Sequence, residues 1–395
     1  MEEELKHSEH NHSLLFLILG IVFILGGAGC ALFAIFRPHE EVPELNFPEI
    51  YATDTETKHY STLTGLEISD ESLNNTPVYC MQIPNGLDGA RPQTSLNEAG
   101  VVFEAIAERG VTRFAAIFQN PTGSIIGPIR SIRLYFLEWD TPFDCTIVHA
   151  GGSDDAIAAI RAGGYKDLTE NYTYMYRGNY NYHLWNNLFT NANLLTKNSS
   201  DFGRTISNPK GFTRLTPEDA HKNRVDSTIV EKLNITKATV NNTAKMTPKA
   251  TNIELSFNNN YYFNVKYQYN ANSNSYNRFY SDGNPHTVYV CPNADLYNKD
   301  PQDRCEQTGL SPNVVAVIYV KESIAWDNYH ENITTTGTGK AVIFQNGIAI
   351  TGTWSKPSVA EQIKFYDDSG AEVALVPGQT WVEAIPSTYP SKVSY

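Results

Sequence analysis

The sequence predicts an α+β or α/β N-terminal domain, with a mixed sheet and flanking helices, followed by a β-rich C-terminal domain and preceded by one N-terminal transmembrane helix. Three observations predict this. Leu14 to Phe36 is an apolar run of 23 residues without a charge; residues 78–195 alternate strand-like with helical runs; and from Ala250 onward short alternating segments are separated by turn residues. The 395 residues, 41% hydrophobic and 18% charged, suit an ordered chain of two or three domains. With 30 basic against 43 acidic side chains, a net charge of −13 and no Lys/Arg run, the composition excludes a nucleic-acid binder, which needs cations to neutralise phosphates.

Residues 1–13 are short, polar and acidic, and are expected to be cytoplasmic. At 1.5 Å per residue, 14–36 would span roughly 34 Å, enough for a hydrocarbon core of about 30 Å. A cleaved signal would have a basic leader and a shorter apolar stretch; a lipoprotein reading rests on Gly27-Ala28-Gly29-Cys30, without the usual Leu three places before the Cys. Residues 37–77, punctuated by Pro and Glu, read as a juxtamembrane stalk. Cys291 and Cys305 bracket a polar loop and are expected to form a disulfide, which places residues 37–395 in an oxidising compartment outside the cytoplasmic membrane. Cys80 and Cys145 are as readily buried thiols as a second bridge. No metal or cofactor is expected, since the cysteines lack neighbouring ligands at zinc spacing.

Residues 78–195 form the mixed domain. GVVFEAIAERGVTRFAAIFQN reads as a hairpin turning at Arg109-Gly110, which would set Ile106 opposite Arg113 and Glu104 opposite Ala115. Arg113 would then lie between Glu104 and Glu108, either as a structural ion pair or as a cation held by a working carboxylate pair. GPIRSIRLYFLEWD reads as a loop entering a helix, with Arg130 and Arg133 on neighbouring helical positions. In DCTIVHAGGSDDAIAAIRAGG a strand to His149 turns through Gly151-Gly152 into a helix with Ser153 at its N-cap. Tyr172, Tyr174, Tyr176, Tyr180 and Tyr182 suit either sugar contact or a polar β-surface. Residues 196–250 read as a linker with one short helix, Pro217 to Val225. Residues 251–395 are β-rich, and Asn346-Gly347 is a strong hairpin signal.

ARPQTSLNEAGVVFEAIAERGVTRFAAIFQ, IGPIRSIRLYF, VHAGGS and a later His-Leu-Trp-Asn segment resemble, in that order, the N-terminal domain of the YerB-like bacterial lipoprotein family. Tyr276-Asn277-Arg278, His286, SPNVVAVIYV, GTGKAVIFQNG, GTWSK and VPGQTWVEAIP resemble that family's second domain. The resemblance implies two consecutive domains of unknown function held on the outer face of the cytoplasmic membrane. It implies no reaction.

Two functional readings follow. In the first, the protein binds an anionic envelope ligand (a glycan, polymer or lipid-linked precursor) or scaffolds an envelope protein. Arg91, Arg130 and Arg133 would grip carboxylate or phosphate, Gln93 and Ser153 would add hydrogen bonds, and Arg113 and His183 complete the candidate ligand set. In the second, it is a cell-wall hydrolase or transferase using Glu104 or Glu108 with His149 as acid and base. The missing nucleophile motif and metal cluster favour binding over catalysis.

Overall fold

The computed structural model describes residues 58–178, 184–222, 250–291, 300–387 and 392–395. Runs rich in β-branched and aromatic residues supply most of the five strands that the first part of the chain gives to the main sheet: β1 (Val78–Pro84), β2 (Val101–Glu108), β3 (Val111–Gln119), β4 (Thr146–Val148) and β5 (Lys166–Leu168). The second part adds β6 (Asn252–Ser256), β7 (Val265–Asn270), β8 (Ser275–Tyr280), β9 (Val314–Val320), β10 (Glu322–Ile324) and β11 (Glu331–Ile333). It continues through β12 (Gly337–Gln345), β13 (Ile348–Lys356), β14 (Lys364–Asp367), β15 (Thr380–Pro386) and β16 (Lys392–Ser394). The helices nearest the site are α1 (Leu134–Asp140) and α2 (Asp154–Arg161).

One ten-stranded mixed sheet runs in the order β14-β13-β12-β9-β15-β2-β3-β1-β4-β5. The two parts of the chain meet inside it at a parallel pair, β15 on β2, with Thr380 opposite Val101 and Glu383 opposite Glu104. This corrects the expected fold class: the protein is mostly β. The helices α1 and α2 have seven and eight residues and only cover part of one sheet face, whereas the central strands come from both parts of the chain. The expected membrane-spanning helix has no counterpart among the described residues. Among the described residues no helix is long and apolar enough to cross a membrane, and residues 14–36 lie outside the described residues.

Strand alternation assigns the two faces. On the first, Val101, Phe103, Ala105, Ala115 and Ile117 pack beneath Tyr135, Phe136 and Trp139 of α1 and Ala156 of α2. Phe103 stacks on Trp139 with ring centroids 5.4 Å apart, and each such fully buried side chain contributes about 1.5–3 kcal/mol. On the second face, Val102, Phe114, Phe118 and Trp381 form one cluster. Ile106, Val315, Val317, Phe344 and Ile385 form another beneath a four-stranded sheet, β8-β7-β6-β16. Residues 58–77, expected as stalk, carry a short strand pair and bury Leu63 in the first-face core.

Two disulfides close the frame, Cys80–Cys145 and Cys291–Cys305. Both two-residue hairpin turns read from the sequence are present. Arg109 (φ 45°) with Gly110 (φ 80°), and Asn346 (φ 55°) with Gly347 (φ 73°), have the paired positive φ of the type I′ turn that matches strand twist. The φ of 80° favours glycine at position 110, and a Cβ there would also displace the end of the Asn258 side chain, 2.4 Å away.

Candidate functional site

The β2–β3 hairpin carries the candidate acids, but in a different register from the expected one. Glu108 faces Val111 as expected, while a bulge between Ile106 and Glu108 sets Ile106 opposite Thr112, Ala105 opposite Arg113 and Glu104 opposite Phe114. The extra residue reverses the alternation. Glu104 therefore points to the second face and Glu108, with Arg113, to the first, so no carboxylate pair brackets Arg113.

On the second face Glu104 belongs to a sealed ionic cluster between the two sheets. Arg278 Nη2 donates to Glu104 Oε2 at 2.5 Å and Arg278 Nη1 to Glu383 Oε1 at 2.9 Å, with all three side chains 0% exposed. The Tyr267 hydroxyl accepts from Arg278 Nη1 and donates to Glu383. Because Arg278 Nε is a donor, His286 Nδ1 accepts it at 3.0 Å, so His286 Nε2 carries the hydrogen and donates to Gln93 Oε1 at 2.9 Å. Gln93 in turn donates to the Pro84 carbonyl at 3.0 Å. Thr112 Oγ1 donates to Glu104 at 2.6 Å, and Arg91 Nε donates to Asn85 Oδ1 at 2.8 Å while its guanidinium lies 4.2 Å from the Tyr280 ring centre.

Electrostatics explains how such a cluster survives burial. Desolvation alone would lower Arg278, but Glu104, Tyr267 and Glu383 outweigh it and hold the guanidinium charged. Burial and then the charge of Glu104 push Glu383 well above the carboxylate range. His286 is driven well below its usual value by burial and by Arg278, which agrees with the neutral ring its hydrogen bonds require. The Trp381 ring, 4.4 Å from the Arg278 guanidinium, closes the site from the side.

The first face holds a second, more open cluster. Glu108 receives Arg113 Nη2 at 2.7 Å and Arg133 Nη2 at 3.0 Å. Arg113 also donates to the Ser131 carbonyl at 2.5 Å. The two arginine side chains are 4% and 5% exposed, and both Nε atoms are buried without a hydrogen-bond partner. Burial, then the neighbouring Arg133, pulls Arg113 down to about 10, and Arg130 adds to the effect. The Arg130 side chain is half-buried and has no hydrogen bond or ion pair among the described residues.

Arg130 and Arg133 do not sit on one helix as expected. The helix starts only at Leu134, with Arg133 extended at its N-cap (φ −120°, ψ 152°). The segment before it fills the ends of two strands: Arg130 N–H donates to the Gln82 carbonyl at 2.8 Å, and its own carbonyl accepts from Ala150 at 3.0 Å. These backbone bonds lock 130–132 extended and deliver Arg130 to the carboxyl end of β1 and β4. The loops that bring Arg91 and Arg130 there contain cis peptide bonds, Arg91-Pro92 and Gly127-Pro128.

A short antiparallel pair, β10 with β11, borders the cluster, and His330 bridges to Glu108. Burial and then its neighbour Glu331 push Glu322 up to about 8, and burial pushes Glu331 up to about 7. At neutral pH these carboxyls compensate the arginines only in part.

Glu104 and Glu108 are thus on opposite faces, and His149 serves neither. Its Nδ1 lies 2.7 Å from the Gly151 carbonyl and its Nε2 2.8 Å from Asp167. Ser153 holds the N-cap position of α2 without a side-chain capping bond. His183 lies outside the described residues. Among the described residues no group of three His, Cys, Asp or Glu side chains is placed to hold a metal. Sequence reasoning missed Arg278, Glu383, Tyr267 and His286 as members of the site. The available signal was a charged residue among apolar or aromatic neighbours of the same parity, Arg278 between Tyr276 and Tyr280 in SYNRFY and Glu383 between Trp381 and Ile385 in TWVEAIP.

Fold and site together define a disulfide-bonded, mostly β protein whose two ionic clusters back onto one hairpin, with no assembled nucleophile or metal centre among the described residues. Residues 63–205 match the family described as "Protein of unknown function (DUF3048) N-terminal domain" and residues 253–382 match its C-terminal domain. The chain belongs to this YerB-like family. A relative from Bacillus subtilis (strain 168), described as "Putative lipoprotein YerB", is 26% identical over 343 residues, 86% of this chain and 90% of the relative. The crystal structure of B. subtilis YerB superposes with a TM-score of 0.66 at 22% identity, covering 86% of this chain and 100% of that one, a likeness of fold.

Proposed function

We propose that this chain is an extracytoplasmic, envelope-associated protein that binds an anionic ligand at the arginine cluster of the first sheet face. The compartment is supported by the similarity to a described lipoprotein and by two disulfides, which persist in oxidising surroundings. The binding reading is carried by one observation. Arg113 and Arg133 share a single carboxylate, Glu108, with Arg130 close enough to act on Arg113, and burial first, then the repulsion of Arg133 and Arg130, pulls Arg113 down. A carboxylate or phosphate docked on Arg130 would offset that repulsion through charge-assisted, bidentate bonds.

The test is a thermal-shift titration of the purified protein with a muropeptide, poly(glycerol phosphate) and inorganic phosphate. A ligand that binds only the folded state raises the melting temperature with concentration. The rise is expected for at least one anion and absent in Arg130→Ala. No shift with any of the three, or an undiminished shift in the variant, would overturn the reading.

A further inference from the structure

The opposite half of the sheet holds a groove that the arginine cluster does not use. Its volume is about 1050 Å³, at the upper end of the roughly 300–1,000 Å³ typical of small-molecule sites. The groove runs over the outer ends of β9, β12 and β13, on the second sheet face. Register brings its floor together: Lys340 lies opposite Thr353 and Val342 opposite Thr351, while Tyr319 leaves β9 on the same side. Tyr319 closes the edge of the apolar core there, so the floor beyond it is polar.

The lining mixes apolar side chains, Val342 and Trp354 among them, with lysine ammonium and threonine hydroxyl groups. Lys321 and Lys340 are exposed, and neither ammonium has a hydrogen bond or ion pair among the described residues. The hydroxyls of Thr336, Thr338 and Thr353 likewise have no partner there. Asp368 is the one acid in the lining, and it accepts from the Thr351 hydroxyl at 2.6 Å. Free ammonium groups above a row of free hydroxyls, beside a tyrosine ring, match a chain that offers both anionic groups and hydroxyls.

We infer that this groove binds an anionic sugar or polyol chain, with Lys321 and Lys340 meeting its carboxylate or phosphate groups and the threonine hydroxyls meeting its oxygens. This site is separate from the arginine cluster, and its ligand need not be the same. Screening will weaken the two lysine contacts, so affinity falls as salt rises.

Fluorescence anisotropy on the full chain tests it, with labelled oligogalacturonate as the carboxylate probe, oligo(glycerol phosphate) as the phosphate probe and maltooligosaccharide as the neutral control. At least one charged probe should bind, and the two arms tell carboxylate from phosphate. Charge reversal in Lys321→Glu/Lys340→Glu should weaken it by about tenfold or more. Thr353→Val should weaken it by about threefold. Both lysines are exposed, so the double variant is expected to keep the wild-type melting temperature. The inference is overturned if neither charged probe binds, if the double lysine variant binds as wild type, if the neutral control binds equally well, or if only Arg130→Ala loses binding. The last result would leave the arginine reading standing without the groove.

Discussion

On one face of the β2–β3 hairpin, all three nitrogens of Arg278 donate to protein partners and aromatic rings cover what remains. On the other face, Arg113 and Arg133 divide one carboxylate, keep buried Nε atoms without partners, and stand beside an Arg130 whose side chain has no hydrogen bond or ion pair among the described residues. The residue types are nearly the same, so the difference lies in how fully the guanidinium nitrogens are used, even though Glu383 Oε2 is itself buried without a hydrogen-bond partner. A finished network between two sheets specifies how the sheets dock, whereas an unfinished one at a strand end has capacity left for a ligand. The bulge between Ile106 and Glu108 makes both possible, because it sends two carboxylates of one strand to opposite faces.

Removing Arg278 should have the largest effect. Arg278→Met leaves Glu104 and Glu383 buried together and is expected to cost about 3–5 kcal/mol in urea unfolding. Glu383→Gln removes a carboxyl whose titration burial and Glu104 already push well above the ordinary range, and should cost about 1 kcal/mol or less. The reverse order would break the contrast between a finished and an unfinished cluster. Next in size, Cys291→Ser/Cys305→Ser should lower stability by about 3 kcal/mol, the value for opening a loop of that length. Binding at Arg130 should survive at temperatures where the variant is folded, which separates stability from ligand recognition.

A smaller effect comes from the pair beside the arginines. The folded state holds the Glu322 proton up to about 8, while the unfolded chain releases it near the ordinary value of 4.5. Folding stability is therefore lost as pH rises through that window. Glu322→Gln should match wild type in melting temperature at pH 4 and exceed it at pH 8.5; parallel curves would mean that the pair does not titrate in this way. The smallest stability change belongs to Arg130→Ala, about 0.5 kcal/mol or less because its side chain has no hydrogen bond or ion pair to lose among the described residues. A larger loss would place Arg130 in the finished class and remove the basis for an anion site.

Local patterns were legible where local chemistry decides. Arg109-Gly110 and Asn346-Gly347 specify their own turns, and Gly151-Gly152 followed by Ser153 marks the start of α2. The fold class was not legible, because the parallel docking of β15 on β2 depends on partners far apart in sequence, and the short helices α1 and α2 read as more than they are. The site was legible in part. Arg113, Arg130, Arg133 and Glu108 do gather, yet the bulge that removes Glu104 from them has no marker in VVFEAIAERG. Arg278 and Glu383 were visible only as charges out of place in apolar strands.

The pairing of β15 with β2 also sets a schedule for synthesis. The outer edge of β2 keeps its N–H and C=O groups unpaired until residues 380–386 have emerged, about 270 residues after β2 itself. Until then the first part of the chain presents an open strand edge, a template for pairing with any passing strand. The finished sheet therefore depends on late, long-range closure, which makes folding slow relative to local hairpin formation. Truncation anywhere before Thr380 would leave that edge open permanently, and such products should aggregate instead of accumulating as a folded N-terminal half.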